Sequence, residues 1–169
     1  AYHVNSIHLR EPSMSDIQKN YEYMKNIEGS EIGVSGWVLI DQQKIDDFAN
    51  VTQDNQFIHV NAERAKNETA YGGTIAHGFL VLSLASKFAF DVLTNTSQKS
   101  ISINYGFDKV RFISPVPANS FLRGRFTLKR VDVKRPTELR QVYDLSIEIK
   151  GSERPAVIAE WITLAVYDK

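Results

Sequence analysis

Between Ala76 and Leu93 the chain reads AHGFLVLSLASKFAFDVL, and twelve of those eighteen residues are Ala, Val, Leu or Phe. Wound as a helix, this segment is apolar almost all round rather than along one stripe, so it belongs in the middle of something. Lys87 and Asp91 interrupt it, and it is slightly short for a membrane span. Beyond it the pattern turns to strand. ISINYGFDKVRF (101–112) alternates at Ile101, Ile103, Tyr105 and Phe107 and changes register around Gly106–Asp108. After a turn marked by Pro115 and Pro117 comes a strand through Phe126 and Leu128, then VYDLSIEIK, with Tyr143, Leu145, Ile147 and Ile149 on one side. A turn over Gly151–Pro155 leads into AVIAEWITLAVY, apolar on both faces. One buried helix and then long strands without strand–helix alternation predict an α+β fold, an antiparallel sheet wrapped around a long central helix.

The part before that helix reads as helix, strand, helix. Ser15 and Asp16 precede Ile17, Tyr21, Met24 and Ile27 at helical spacing, which predicts a helix over 15–28 closed by Gly29. IGVSGWVLI (32–40) reads as a strand. Asp41 then caps a second helix with Ile45, Phe48 and Ala49 on one face.

At 169 residues and 43% hydrophobic content the chain can bury a core of its own as one domain. Its 20 basic and 20 acidic side chains cancel, which argues against a nucleic-acid partner. With no cysteine there is no disulfide, thiolate metal site or cysteine nucleophile, and a cytoplasmic setting is favoured. The start, AYHVNSIHLREPSMSD, has no basic end leading into an apolar stretch, so no signal peptide is expected.

The common nucleotide-binding, serine-hydrolase and zinc-protease motifs do not occur. Of the four histidines, His3 and His8 lie in the unpatterned start, while His59 and His77 sit in TQDNQFIHVNAERA (52–65) and YGGTIAHGFLVLSL (71–84). Asp54 and His59, between two helices, can converge on one small cavity, hold a water and return a proton to a neighbouring carbon. The plainer reading makes Asp54 an Asx-turn residue and His59 a half-buried side chain bonded to backbone. Gly72–Gly73 and His77–Gly78 open the buried helix, where free N–H groups favour an oxygen gaining negative charge. Gly78 could equally serve close helix–sheet packing, and His77 is read as capping or packing. Lys109, Arg111, Arg123, Arg125, Lys129 and Arg130 either meet phosphates or form a solvated strand face. Asn104 and Tyr105 border the pocket or belong to the sheet.

The ordered stretch FANVTQDNQFIHVNAERA…YGGTIAHGFLVLSL…INYGFDKVRFISPVP resembles the MaoC-type (R)-specific enoyl-CoA hydratases, in particular their NodN-like branch, over roughly residues 37–167. The resemblance implies a hot-dog fold over 31–169 preceded by an extension over 1–30. It implies a dimer, Asp54 and His59 as the dyad that activates water for syn addition across a 2-enoyl thioester, and the Gly78 N–H on the thioester carbonyl. Ser86 matches a serine near the dyad in some members, or is an ordinary helix serine. The implied substrate is a thioester of coenzyme A or of acyl carrier protein. No metal or redox cofactor is implied, because the thioester carbonyl itself acidifies the α-carbon. The implied reaction is hydration of a trans-2-enoyl-CoA to the (R)-3-hydroxyacyl-CoA, or its reverse. A hot-dog thioesterase and a non-catalytic acyl-CoA-binding subunit are the alternatives. Many members carry Gly-Asp and Asn-Pro-Leu-His where this chain has Gln53-Asp54 and Gln56-Phe57-Ile58-His59, so acid and base are retained while the loop between them differs.

Overall fold

The computed structural model describes residues 15–93 and 100–167; His3, His8 and the rest of 1–14 lie outside the described residues. In chain order the elements are α1 (Asp16–Ile27), β1 (Glu31–Val34), β2 (Val38–Ile40), α2 (Gln42–Thr52), α3 (Phe57–Val60), α4 (Ala62–Glu68), α5 (Gly78–Ser83) and α6 (Ala85–Val92). Four long strands complete the chain: β3 (Ser100–Phe112), β4 (Ser120–Arg135), β5 (Glu138–Ile149) and β6 (Val157–Tyr167). They form one antiparallel sheet in the order β1-β4-β5-β6-β3, with β2 also paired to β4. No described helix is long and apolar enough to cross a membrane.

Helix α1 starts where the Ser15 hydroxyl accepts from the Gln18 amide, and the chain leaves it through Gly29 at φ +87°, a left-handed backbone that glycine adopts at little cost. The Gly29 N–H donates to the Leu128 carbonyl at 2.6 Å and docks the helix end on β4. Met24 on this helix joins the core, and Asn20 donates to the Tyr167 hydroxyl.

The stretch expected as one strand over 32–40 is two. Val34 lies opposite Arg125 and Val38 opposite Leu122, so four steps on this side meet three on β4. The extra residue is taken up at Ser35–Trp37. Ser35 donates its amide to the Gly124 carbonyl at 2.8 Å and accepts from the Gly124 amide through Oγ at 2.9 Å.

The apolar segment also differs from one continuous helix. Helix begins at Gly78 and breaks at Leu84, whose amide bonds back three residues to Val81. Ser83 Oγ donates to the Leu80 carbonyl at 2.7 Å, a local bond that competes with the regular ladder at this point. Leu80, Val81, Ala85, Phe88 and Ala89 are buried against the sheet, where Leu122, Phe126, Tyr143, Ile147 and Trp161 receive them. Burying a side chain such as Phe88 is worth about 1.5–3 kcal/mol. The closest approach is at Gly124, where a Cβ would stand 2.7 Å from Phe88 Cβ. The helix is not covered all round, for Phe79 and Phe90 are 71% and 73% exposed.

β3 bulges between Asn104 and Gly106 and again between Phe107 and Lys109, the place where its pattern changes register. It lies at an edge of the sheet, and Ile101, Ile103, Tyr105 and Phe112 are exposed along it. On β5 the expected alternation holds, with Leu139, Gln141, Tyr143, Leu145 and Ile147 buried on one face. Gln141 is the polar member of that row. Its Oε1 accepts from Tyr143 and Thr163 at 3.0 and 3.1 Å, and its amide lies against the Met24 sulfur.

Candidate active site

Asp54 and His59 come together because α2 is stopped abruptly. Asp41 caps its start, accepting from the Lys44 amide at 2.9 Å, and Gln53 ends it at φ +63°. A non-glycine residue in that conformation stores roughly 1–2 kcal/mol of strain, and it turns the chain back on itself. Asp54 comes next, with an exposed carboxylate whose Oδ1 accepts from the Gln56 amide at 3.4 Å. The Asx-turn geometry and a carboxylate available to a ligand therefore coexist in one residue.

The four-residue helix α3 presents His59 from the other side of this turn. His59 is buried, and its Nδ1 donates to the Ile75 carbonyl at 2.7 Å, which leaves the Nε2 lone pair free. Gln42 fixes the backbone around it, donating from Nε2 to the His59 carbonyl at 2.8 Å and accepting the Thr74 hydroxyl at Oε1. Burial pushes the His59 imidazole below its ordinary range. The Ile75 carbonyl opposes this, His77 adds to it, and Asp54 opposes it. The result is a ring held neutral and able to take a proton.

Segment 74–77 forms the floor. Ile75 bridges Pro117, and the Ala76 amide donates to Val116. His77, which precedes α5, forms no side-chain cap. It is buried and packs its ring between His59 and Phe48, at centroid distances of 3.8 and 5.0 Å. Its Nε2 donates to the Asp54 carbonyl at 2.9 Å. The packing read from the sequence is present, and a polar bond to the Asp54 backbone accompanies it.

A cavity of about 250 Å³ opens beside His59, bounded by Tyr71, Ile75, Gly78, Phe112 and Pro115. The Phe112 ring presses on Gly78 so closely that a Cβ there would sit 3.0 Å from two ring carbons. His59 and Gly78 thus line one cavity, and the Asp54 carboxylate lies within 4.8 Å of a His59 ring nitrogen without lining that cavity. Ser86 lines a separate groove of about 350 Å³ with Phe90, Asn104, Gln141 and Trp161. Asn104 accepts from the Trp161 indole there at 2.8 Å, and Tyr105 is exposed beneath the Lys134 ammonium.

Of the six basic residues considered for phosphate contact, five are paired. Arg123 and Arg125 share Glu148, Lys109 and Lys129 share Glu160, and Arg130 meets Asp132. Arg111 bonds the carbonyl of its neighbour Val110. A cavity of about 380 Å³ among Lys109, Arg111, Arg125, Asp144 and Glu160 shares no lining residue with the His59 cavity.

Asp54, His59 and His77 each place one donor atom within 4.8 Å of the others, the spacing of a metal triad. The stacked imidazoles, inclined by only 24°, argue against that use. Their in-plane lone pairs lie in nearly parallel planes, whereas zinc asks its ligands to converge tetrahedrally at about 2.0–2.1 Å.

Sequence reasoning did not single out Gln42, Thr74, Tyr71 or Phe112. Each acts through a contact distant in sequence, and no local motif marks such a contact.

Comparison with known proteins identifies the family and the fold. The model of the MaoC like domain matches residues 24–149. The chain is 46% identical over 140 residues to nodulation protein N of Rhizobium leguminosarum bv. viciae, covering 83% of this chain and 87% of that protein. It is 39% identical over 134 residues to the 3-hydroxyacyl-thioester dehydratase Z of Mycobacterium tuberculosis (strain ATCC 25618 / H37Rv), covering 79% and 87%. The solved monoamine oxidase regulatory protein from Archaeoglobus fulgius superposes with a TM-score of 0.72 at 24% identity, over 84% of this chain and 92% of that one. The sheet wrapped on α5 and α6 is the hot-dog fold.

Proposed function

The chain belongs to the MaoC-like domain family, and from that premise we propose that it adds water to a trans-2-enoyl-CoA to give the (R)-3-hydroxyacyl-CoA, or runs the same step as a dehydration. The observation that carries the reading is that Asp54 and His59 have donor atoms within 4.8 Å and that His59 lines the same cavity as Gly78. The thioester carbonyl accepts the Gly78 N–H, which draws electron density from C3. A water held between the Asp54 carboxylate and His59 Nε2 gives one proton to Nε2 as its oxygen bonds to C3. The C2–C3 π pair moves toward the carbonyl as an enolate, stabilised by the same N–H. His59 then returns the proton to C2 and the carbonyl re-forms. Hydroxyl and proton both come from one water on one face, so the addition is syn.

The test is the loss of 2-enoyl absorbance from crotonyl-CoA and longer 2-enoyl-CoAs, with His59→Ala as control. Decay abolished in the control supports hydration. Release of free thiol with the double bond intact would replace this reading by a thioesterase. Tight acyl-CoA binding without either change would replace it by a binding subunit. The same series on acyl carrier protein identifies the carrier. A cytoplasmic setting goes with coenzyme A thioesters as substrates.

We also propose that the working form is a homodimer. The support is the edge strand β3, with Ile101 67% and Ile103 46% exposed, and with exposed Phe90 lining a groove with Ser102 and Asn104 of the same strand. A bare apolar edge invites strand pairing with another copy. Sedimentation at micromolar concentration should give twice the chain mass, and Ile103→Lys should halve it; a monomeric parent would overturn the assignment.

A further inference from the structure

His77 has a feature that an ordinary core histidine lacks. It is 2% exposed, yet Nδ1 has no hydrogen-bond partner. Buried polar atoms are almost always satisfied, and one left unmade costs about 1–3 kcal/mol. A phenylalanine or leucine would fill the space between Phe48 and His59 without that cost. What the imidazole adds is the Nε2–H bond to the Asp54 carbonyl at 2.9 Å, while its face lies on His59 at 3.8 Å. The same ring therefore touches the backbone of one member of the proposed pair and the side chain of the other.

We propose that His77 is the positioning residue of this site: its Nε2–H fixes the turn that carries Asp54, its ring face fixes the plane of His59, and the distance between carboxylate and imidazole is set by this one side chain. The inference rests on the hydration reading, in which both groups hold one water. The Asp54 turn is otherwise fixed by weak local bonds, with Thr52 and Gln56 at 3.4 Å. His59 is hinged on one bond to Ile75, about which the ring could tilt. The stack removes that tilt. The titratable groups facing His59 are Asp54 from the α2–α3 turn, His77 from the segment before α5, and Tyr71 at the cavity wall.

Two substitutions separate the two contacts. His77→Gln keeps an N–H donor near the reach of Nε2 and loses the ring; His77→Phe keeps the ring and loses the donor. Both should fold, with KM for the enoyl thioester changed less than about threefold and kcat reduced by about 10-fold to 10²-fold, the scale of a small misplacement of reacting groups. His77→Ala, losing both contacts, should fall further than either. Removing the ring should also move the acid limb of kcat/KM upward in pH, since water then reaches His59 and the depressing influence of His77 is gone. A folded His77→Ala protein with the parent's kcat and pH profile would overturn the proposal. So would activity that falls only in proportion to folded protein while the acid limb stays in place.

Two measurements do not depend on turnover, and the first needs no variant. ¹⁵N NMR of the parent should show His77 protonated at Nε2 and bare at Nδ1; the opposite tautomer would overturn the proposal. Titration of the His59 ring in His77→Gln should shift upward relative to the parent. A parent inert toward every enoyl thioester would remove the hydration reading, whereas an unmoved His59 titration would remove the positioning role.

Discussion

His59 and His77 lie face to face, their centroids 3.8 Å apart and their planes inclined by 24°. Each ring spends one nitrogen on a backbone carbonyl, His59 on Ile75 and His77 on Asp54. Burial depresses the proton affinity of His59, and the neighbouring His77 ring adds to that effect.

If the proposed pairing of Asp54 and His59 holds, loss of either side chain should be severe for rate and mild for folding. Asp54→Asn and His59→Gln should each lower kcat by about 10²–10⁴, or roughly 2.7–5.5 kcal/mol. Asp54 is exposed and makes one long bond, so its variant should melt with the parent. Parallel thermal melts and enoyl absorbance assays check both halves of the expectation.

The depressed His59 proton affinity fixes the sign of a pH effect. An unfolded His59 takes up a proton near pH 6.5, whereas the folded one resists until lower pH. The unfolded chain therefore binds more protons in that window, and stability falls as pH falls through it. The contribution is fully present above about pH 6.5. Urea midpoints at pH 7.5 and 5.5 should fall with acidity in the parent and do so less steeply in His59→Gln.

Gly124→Ala should strike the fold rather than the chemistry. The new methyl would meet Phe88 Cβ at 2.7 Å and a Phe126 ring carbon at 3.0 Å, both in a closed core. Overpacking of this kind costs about 1–3 kcal/mol. Denaturant unfolding measures it, with an unchanged midpoint as the contrary result.

Gly78→Ala tests the cavity wall. The methyl would press on Phe112, a ring 51% exposed and free to swing toward the pocket. We expect kcat/KM to fall about tenfold, near 1.4 kcal/mol, with little change in melting temperature. Adding Phe112→Leu should return most of it.

Neutralising the outer-face cations should leave the KM for an enoyl-CoA unchanged. Arg125 and Lys129 already face Glu148 and Glu160, and exposed pairs contribute about 0–1 kcal/mol. Steady-state kinetics of Arg125→Gln and Lys129→Gln at two salt concentrations tests this.

Much of the fold was legible because its signals are local. Ser15 and Gly29 bound α1, Asp41 starts α2, and the broken alternation near Gly106 marks the β3 bulges. The break at Ser35–Trp37 was hidden, since it depends on Gly124 lying opposite, a partner remote in sequence. The break at Leu84 was hidden for a different reason: Leu and Ser suit a helix interior, and only the Ser83 bond to Leu80 reveals the interruption. At the site, spacing raised Asp54 and His59 and the opening of the buried helix raised Gly78, each beside a plainer reading, and the family resemblance assigned their roles. The Nε2–H bond from His77 to Asp54 had no linear trace, because it forms only once α2 is stopped by the left-handed Gln53.

The amide of Gln141 gives the sheet an alignment key. It is satisfied by Tyr143, Thr163 and Met24 in one arrangement of β5 between its neighbours. Sliding β5 by two residues would keep its inward row inward yet carry the amide away from Thr163 on β6 and Met24 on α1, leaving both contacts unmade. An all-apolar row would tolerate that slip at little cost. A polar group in the row instead penalises the shifted pairing, because a buried amide stripped of its partners costs free energy that a leucine would not.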